Sequence, residues 1–520
     1  MKRHSFFHCS NSPLGFFSFV AKLTAYLLLL TLLTSSTEDL RKKHNFKPES
    51  MHWLQFRGPN SSGIAPENAD PPIHFSADTN LLWKTEVVMG WSSPCIVNDK
   101  IFLTGFSDND SLLYTIAIGR ENGDILWQNS VVPEKYYRLH PVNSYANPTV
   151  TSNGEMIYSH LPGYGLIAYS LAGEKVWEFK HEPITYSMGG GCSPIIKDSL
   201  VIININQGRD PRIQALDCTT GDTVWAIRDT IHSRRSIGCS ATPVLWNDLL
   251  IIHQDLEIVA YNMAEMYPEW WIQTPTRGVS TPVLHEDVLY ISSWTNFGEN
   301  KVRGLGLNFE ELITRFDQNR NQKLDKGEVP DSVMVFVRPE SPDEPRTSYT
   351  FNRMYSGWDP NNDGTFDREE WDGIMEIAAP YMIDHGMLAI PVSGHGERLH
   401  AEILWKINED TPETPSPLVV GTRVMFIKNG GIMTTVDRET GEIFKKGRIG
   451  AAGAYISSPM LAGNRVYTCS YNGMVTVLSA DDFSVLAHNK LKEKIAASPV
   501  AVGDVLYIRT DKHLYAFQEI

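Results

Sequence analysis

One phrase of sequence returns eight times along this chain, and a chain built from such a phrase has few ways to fold. Each copy opens on a Ser-, Thr- or Asn-Pro pair, passes through an apolar residue or two and a polar turn, and ends in a strand-like run closing on Val/Ile-Tyr/Phe. The prolines are Pro94, Pro148, Pro194, Pro243, Pro282, Pro417, Pro459 and Pro499. Most intervals are roughly 40–54 residues, the period of four-stranded propeller blades. Proline fixes φ and lacks an amide donor, so it suits the first residue of a strand. The polar centres Asp198-Ser199, Gly421-Thr422, Gly463-Asn464 and Gly503-Asp504 lie between β-branched runs and predict tight hairpins. A third strand then leads to an Asp-x-x-Thr-Gly turn and a fourth strand that ends in an aromatic, as in Leu216–Trp225 and Val436–Phe444. Degenerate copies end at Trp127, Trp177, Trp271 and Trp405. A Trp buries up to roughly 250 Å² and keeps an N–H for a partner at the rim, so aromatics in phase with the repeat are expected to dock neighbouring blades.

The last copy decides the topology. It runs from Ser498-Pro499 to Leu514-Tyr515-Ala516-Phe517 and stops without a final strand, while Leu81–Val87 stands as a strand without a repeat ahead of the first proline. Pairing the two closes a ring and removes an open sheet edge. The expectation is an all-β, eight-bladed β-propeller closed by an N-terminal strand, with a small α-helical insertion in blade five.

That insertion fills the one interval out of step, Pro282 to Pro417, about three times the others. Between Trp294 and Ile390 the alternating pattern disappears, and two twelve-residue segments, 317–328 and 359–370, resemble the EF-hand calcium loop. Calcium takes six to eight oxygens, and this spacing wraps side chains at positions 1, 3, 5, 9 and 12 and a carbonyl at 7 around one point. In the second loop these positions are Asp359, Asn361, Asp363, Thr365, Asp367 and Glu370, with Gly364 at the sharp turn and apolar Phe366 at position 8, placed to pair with its twin. In the first they are Asp317, Asn319, Asn321, Lys323, Asp325 and Glu328, with Gln322 where glycine is expected. A left-handed conformation costs a non-glycine residue energy, so the first loop is the weaker site. Helices are expected over Phe309–Phe316, Tyr349–Trp358 and Arg368–Ile377, and Pro330 cuts short any helix leaving the first loop. The segments Gly386–Val392 and Ala401–Lys406 read as the outer strands of the interrupted blade.

The N-terminus reads as an export signal, with Lys2 and Arg3 ahead of an apolar run from Leu23 to Leu33 and small residues at Thr34–Thr37. The apolar core is short for a membrane span, and no stable span is expected. An uncleaved anchor is the alternative, favoured by Arg41, Lys42 and Lys43. The divisions are a signal peptide over 1–36, an N-terminal extension over 37–80, propeller over 81–296, the loop pair over 297–385 and propeller again over 386–520. The formal charge of −15 argues against a nucleic-acid partner held by bulk electrostatics. Cys95, Cys192, Cys218, Cys239 and Cys469 remain after cleavage, an odd number with no CxxC, which reads as buried structural cysteines rather than a disulfide framework.

The Ser-Pro opening and Leu-Asp-x-x-Thr-Gly-x-x-x-Trp ending resemble the pyrroloquinoline-quinone (PQQ) type repeat, found in quinoprotein alcohol dehydrogenases and in the propeller subunit of the Gram-negative outer-membrane assembly machine. Trp53–Asn60 looks like the opening of exported members of that group. The resemblance implies the fold over roughly 370 residues and offers PQQ as a cofactor. This chain departs from the dehydrogenase pattern in having no adjacent cysteines, and no motif matches that group's calcium-binding set, so no catalytic residue is carried over. It also lacks the lipidation cysteine usual in the assembly subunit.

Segments preceding the prolines are expected near one face of the ring. They hold Arg138, Arg234, Arg235 and Arg277, candidates for an axial anion site, which pairing with acidic neighbours would neutralise. Taken together, the residues predict an exported calcium-binding propeller that acts as a binding or scaffold protein for a protein or glycan partner of the cell envelope. A PQQ-dependent dehydrogenase and an outer-membrane assembly subunit are the alternatives.

Overall fold

A computed structural model describes residues 52–136, 139–140, 143–184, 190–205, 210–228, 240–294, 309–336, 349–352, 359–378, 385–397 and 402–519. The export signal within residues 1–36, and the Arg41, Lys42 and Lys43 cluster, lie outside them. So do Arg138, Arg234, Arg235 and Cys239.

Eight sheets, antiparallel but for one edge strand, follow one another around a ring. Blade one is Cys95–Val97, Lys100–Ser107, Leu112–Gly119 and Ile125–Val131, in that order from the first strand outward. The same order recurs in every complete repeat. Blade eight is Val500–Val502, Val505–Arg509 and His513–Phe517, and its fourth strand is Leu81–Glu86. Leu81 lies opposite Phe517 and Thr85 opposite Leu514, so the strand missing from the last copy is supplied by the N-terminal side and the ring closes as expected.

Side-chain hydroxyls seal the ring a second time. In seven blades the residue before the opening proline, and in blade two Thr149, carries a hydroxyl that accepts the amide of its counterpart one blade back. Ser93 N–H donates to Thr149 Oγ1 at 2.9 Å, Thr149 to Ser193 Oγ at 3.0 Å, and Ser193 to Thr242 Oγ1 at 3.2 Å. Thr242 donates to Thr281 Oγ1, Thr281 to Ser416 Oγ, Ser416 to Ser458 Oγ and Ser458 to Ser498 Oγ, at 3.0–3.1 Å. Ser498 N–H then returns to Ser93 Oγ at 3.0 Å and completes a circle of eight. All eight residues are buried, where an unmade amide bond would be costly. The circle also corrects the register of copy two. Thr149 follows Pro148 rather than preceding it, and its strand Thr151–Ser152 starts after Val150, so Val150 stands where the other blades place proline.

The repeat-phase tryptophans dock successive blades. Trp83, Trp127, Trp177 and Trp405 donate their indole N–H to the carbonyls of Arg120, Leu171, Cys218 and Arg438 of the next blade, at 2.8–3.1 Å. Each ring lies on the turn glycine of that blade. A Cβ added to Gly123, Gly173, Gly221 or Gly441 would meet a tryptophan atom at 2.6 or 2.7 Å, and all four have positive φ. The glycine therefore serves both the turn and the neighbour's ring.

Blade four departs from the simple pattern. Leu249–Asn262 forms one continuous run of strand, yet Ile251 packs with Ile258 and Ala260 while Leu250 and Ile252 pack with Val259 and Tyr261. That switch of parity, with Leu256 at φ 67°, marks a two-residue reversal at Asp255-Leu256. The outer edge of this blade is covered by Gly396–Glu397, which pairs in parallel with Trp270 and Trp271. Blade five is Val283–His285, Val288–Ser293, Gly386–Pro391 and Trp405–Ile407. Ser293 lies opposite Gly386, so residues 294–385 leave and rejoin the sheet between its second and third strands.

Candidate metal site and the ring axis

Because strands alternate in direction, each blade sends its 1–2 and 3–4 turns to one face of the ring. Its 2–3 turns and the link to the next blade lie at the other. The first face is stopped by the N-terminal segment. His52 accepts the amide of Asn98, in the 1–2 turn of blade one, and Trp53 exchanges two backbone bonds with Ile96. Leu54 O takes the Ser152 amide at 2.8 Å, and the Asn60 side chain makes two bonds to the Leu245 backbone. The Leu461 amide donates to Gly63 O and the Ala65 amide to Leu461 O. One short stretch thus touches first strands of blades one, two, four and seven, which is only available to a chain crossing the axis.

Arg57 fixes that crossing. It is 1% exposed and donates to the carbonyls of Pro417, Pro459, Ser61 and Ser62 at 2.8–3.1 Å. These four partners are carbonyls, not carboxylates, and burial lowers its pKa to about 9. The Trp53–Asn60 motif, noticed in the sequence as an opening, is a stopper.

The opposite face carries the insertion. Of the four arginines proposed for an axial anion site, Arg277 is described, and it ion-pairs with the buried Asp255 carboxylate at 3.7 Å. Tyr455, in the segment just ahead of Pro459, is buried and donates its hydroxyl to Ala451 O. Cys95, Cys192, Cys218 and Cys469 are all free and buried, and desolvation pushes the Cys192 thiol up to about 12.

Within the insertion, α1 (Phe309–Phe316) enters the first loop and α2 (Arg368–Ala378) leaves the second. The loops meet through a two-residue ladder. Leu324 faces Phe366 and Asp325 faces Thr365, so position 8 of each loop lies across from the other. Phe309, Leu312, Leu324, Val329, Phe351 and Phe366 form one buried cluster beneath the ladder. Tyr349 and Thr350 differ from the expected helix. They pair with Met334–Phe336 as a short strand, and the helical turn begins at Phe351. Residues 353–358 of that helix lie outside the described set.

The second loop is folded by its own amides. Asp363 N–H reaches Asp359 Oδ1 and Asn361 Oδ1, Gly364 N–H reaches Asp359 Oδ2, and Thr365 N–H reaches Asp363 Oδ1, all within 3.2 Å. Asp367 and Glu370 exchange bonds, Glu370 N–H to Asp367 Oδ1 and Asp367 N–H to Glu370 Oε2, both at 3.1 Å. Gly364 has φ 82° with open space around a would-be Cβ, while Gln322 holds the equivalent place in the first loop at φ 64°. The first loop repeats the pattern, with Asp317 accepting the amides of Asn321 and Gln322, and Glu328 those of Gln318, Asn319 and Asp325.

This arrangement leaves oxygens over. Asp363 Oδ2 and Asp367 Oδ2 share the Lys323 ammonium, at 3.8 and 3.3 Å. Glu370 Oε1 is buried with no hydrogen-bond partner, and the residue is 9% exposed. Burial, and then the charges of Asp367, Asp359 and Asp363, push the Glu370 pKa up. A buried carboxylate oxygen without a donor, under the charge of three nearby carboxylates, fits a hard cation. Among the described residues no three His, Cys, Asp or Glu side chains already converge as a metal cluster, so an ion would draw these oxygens inward.

Fold and repeat together define the class, a PQQ-like eight-bladed β-propeller. A family model described as outer membrane protein assembly factor BamB matches residues 73–304 and 395–520. The chain belongs to that family, and the match skips most of the blade-five insertion. No curated protein matches significantly. Among solved structures, a europium-containing methanol dehydrogenase is similar over 91% of this chain and 99% of its own, at 10% identity and a TM-score of 0.52. BamB from Moraxella catarrhalis covers 84% of this chain and 98% of its own, at 13% identity and a TM-score of 0.47. The computationally designed Ika8 protein covers 83% and 97%, at 7% identity and a TM-score of 0.48. At such identity the dehydrogenase likeness speaks for the fold alone. No helix among the described residues is long and apolar enough to cross a membrane.

Proposed function

We propose that this chain is an exported calcium-binding propeller that acts as a binding or scaffold protein for a protein or glycan partner of the cell envelope. The second loop holds the ion through Asp359, Asn361, Asp363, the Thr365 carbonyl, Asp367 and Glu370, and the first loop offers a weaker site. The observation that carries the calcium reading is Glu370, the acid at position 12, whose buried Oε1 has no donor while its Oε2 is already engaged. Calcium accepts both oxygens of such a residue. The stopped axis leaves the insertion-bearing face as the broad surface for a partner.

The family description favours one particular form of this reading, a subunit that assists outer-membrane protein assembly. For a PQQ-dependent dehydrogenase the described chemistry is thin. Arg277 is paired with Asp255, and the four described cysteines are single and buried.

Thermal unfolding in calcium and in chelator tests the first reading. Calcium raises the midpoint of the wild-type protein and not of E370Q, since an ion that binds only the folded chain stabilises it. Equal midpoints with and without calcium in the wild type would remove it. Adding PQQ with calcium tests the enzyme, and the expected result is neither bound-cofactor absorbance nor dye-linked alcohol oxidation. Turnover in that assay would replace the scaffold reading.

A further inference from the structure

Lys323 belongs to the first loop, where position 7 uses the backbone carbonyl and leaves the side chain to point elsewhere. Here it points across the ladder. Its ammonium lies 3.3 Å from Asp367 Oδ2 and 3.8 Å from Asp363 Oδ2, and it donates to Thr365 Oγ1 at 3.3 Å. All three residues are ligand positions of the second loop. The side chains are partly exposed, at 38% for Lys323, 43% for Asp363 and 26% for Asp367, so nothing in the packing forces the contact.

We propose that Lys323 is a tethered cation of the second loop, an affinity-setting residue that a divalent ion must displace from Asp363 and Asp367 before both carboxylates can turn to it. The proposal rests on the calcium reading above, and the orphaned Glu370 Oε1 is the independent sign that the loop takes an ion. Two consequences follow from the geometry. The ammonium neutralises part of a four-carboxylate loop, which lowers the repulsion that would otherwise open it. It also links the loops, because the residue whose carbonyl faces the first ion position holds the acids of the second. An ion seated in the second loop releases the side chain of Lys323, and one seated in the first draws on its backbone.

The size of the effect follows from exposure. Partly exposed ion pairs are individually weak, so removing two of them should tighten calcium binding by about 3- to 10-fold rather than by orders of magnitude. Calorimetric titration of the full chain with calcium chloride tests this with wild type, K323M, K323R and E370Q. The expected result is one binding event that depends on Glu370, tightened about 3- to 10-fold in K323M and within about twofold of wild type in K323R, which keeps the charge. Comparable melting of K323M and wild type in chelator shows that the variant folds. An unchanged or weakened affinity in K323M, with the event still lost in E370Q, overturns the role of Lys323 and leaves the calcium reading standing. Absence of any Glu370-dependent heat in both wild type and K323M overturns the two together.

Discussion

Two glycines in similar backbone conformations separate the cost of a left-handed turn from the cost of disturbing a blade junction. Gly221 has φ 76° and Gly154 has φ 95°. Alanine at either position meets the backbone penalty of a left-handed residue, about 1–2 kcal/mol. A Cβ on Gly154 has nothing within 4 Å, whereas one on Gly221 falls 2.6 Å from Trp177 Cδ2, and ordinary contact begins at 3.4 Å. The indole cannot easily retreat. Its N–H is bonded to Cys218 O at 2.9 Å, and the Tyr158 hydroxyl bonds the same carbonyl at 3.2 Å. Overfilling a packed site of this kind costs about 1–3 kcal/mol, so G221A should lose about 2–5 kcal/mol in all and G154A about 1–2 kcal/mol. Urea unfolding followed by far-ultraviolet circular dichroism reads both variants against the wild type. Equal losses within about 0.5 kcal/mol would refute the docking role of the glycine, because only the backbone term would then be visible.

Two further variants probe the ring. T242V keeps the side-chain shape but removes the acceptor of the buried Ser193 amide, and should cost about 1–3 kcal/mol in the same assay; a loss below about 0.5 kcal/mol would mean that the hydroxyl circle contributes little. His253 is buried, with its Nδ1 against Ser280 O and its Nε2 against the Thr276 hydroxyl, and desolvation lowers its pKa from 6.5 to about 4. The unfolded chain therefore binds this proton first, and stability should fall as pH drops from 6.5 towards 4, by up to about 1.4 kcal/mol per pH unit from this group. H253Q should be less stable at neutral pH and flatter over that window, and a slope matching the wild type would assign the acid sensitivity to other groups.

Much of the ring was legible because each element repeats. A final copy lacking one strand, and a lone strand at Leu81–Glu86, admit a single closure. Tryptophans in phase with the repeat had to face a neighbouring blade, although the sequence did not say that the landing point is the next turn's glycine. The hydroxyl circle is spelled out as Ser or Thr before proline in seven copies and as Thr149 before Val150 in the second. In copy two the Asn147-Pro148 pair points two residues too early, since Val150 has no ring to mark the strand start. The parallel pairing of Gly396–Glu397 with Trp270 and Trp271 had no local signal, because two residues carry no periodicity and the contact is made by the fold. Position rules list the candidate oxygens of the second loop. They put Lys323 at position 7 of the first loop but say nothing of its side chain, which the ladder sets beside Thr365, 42 residues further on.

The proposed function requires the insertion in blade five to hold calcium through Glu370. Equilibrium dialysis of the full-length wild type and E370Q against buffered calcium, followed by elemental analysis of metal per chain, tests it most directly. The structure predicts that E370Q retains one calcium fewer than wild type under the same conditions. Equal calcium in the two proteins, or none in either, would contradict it.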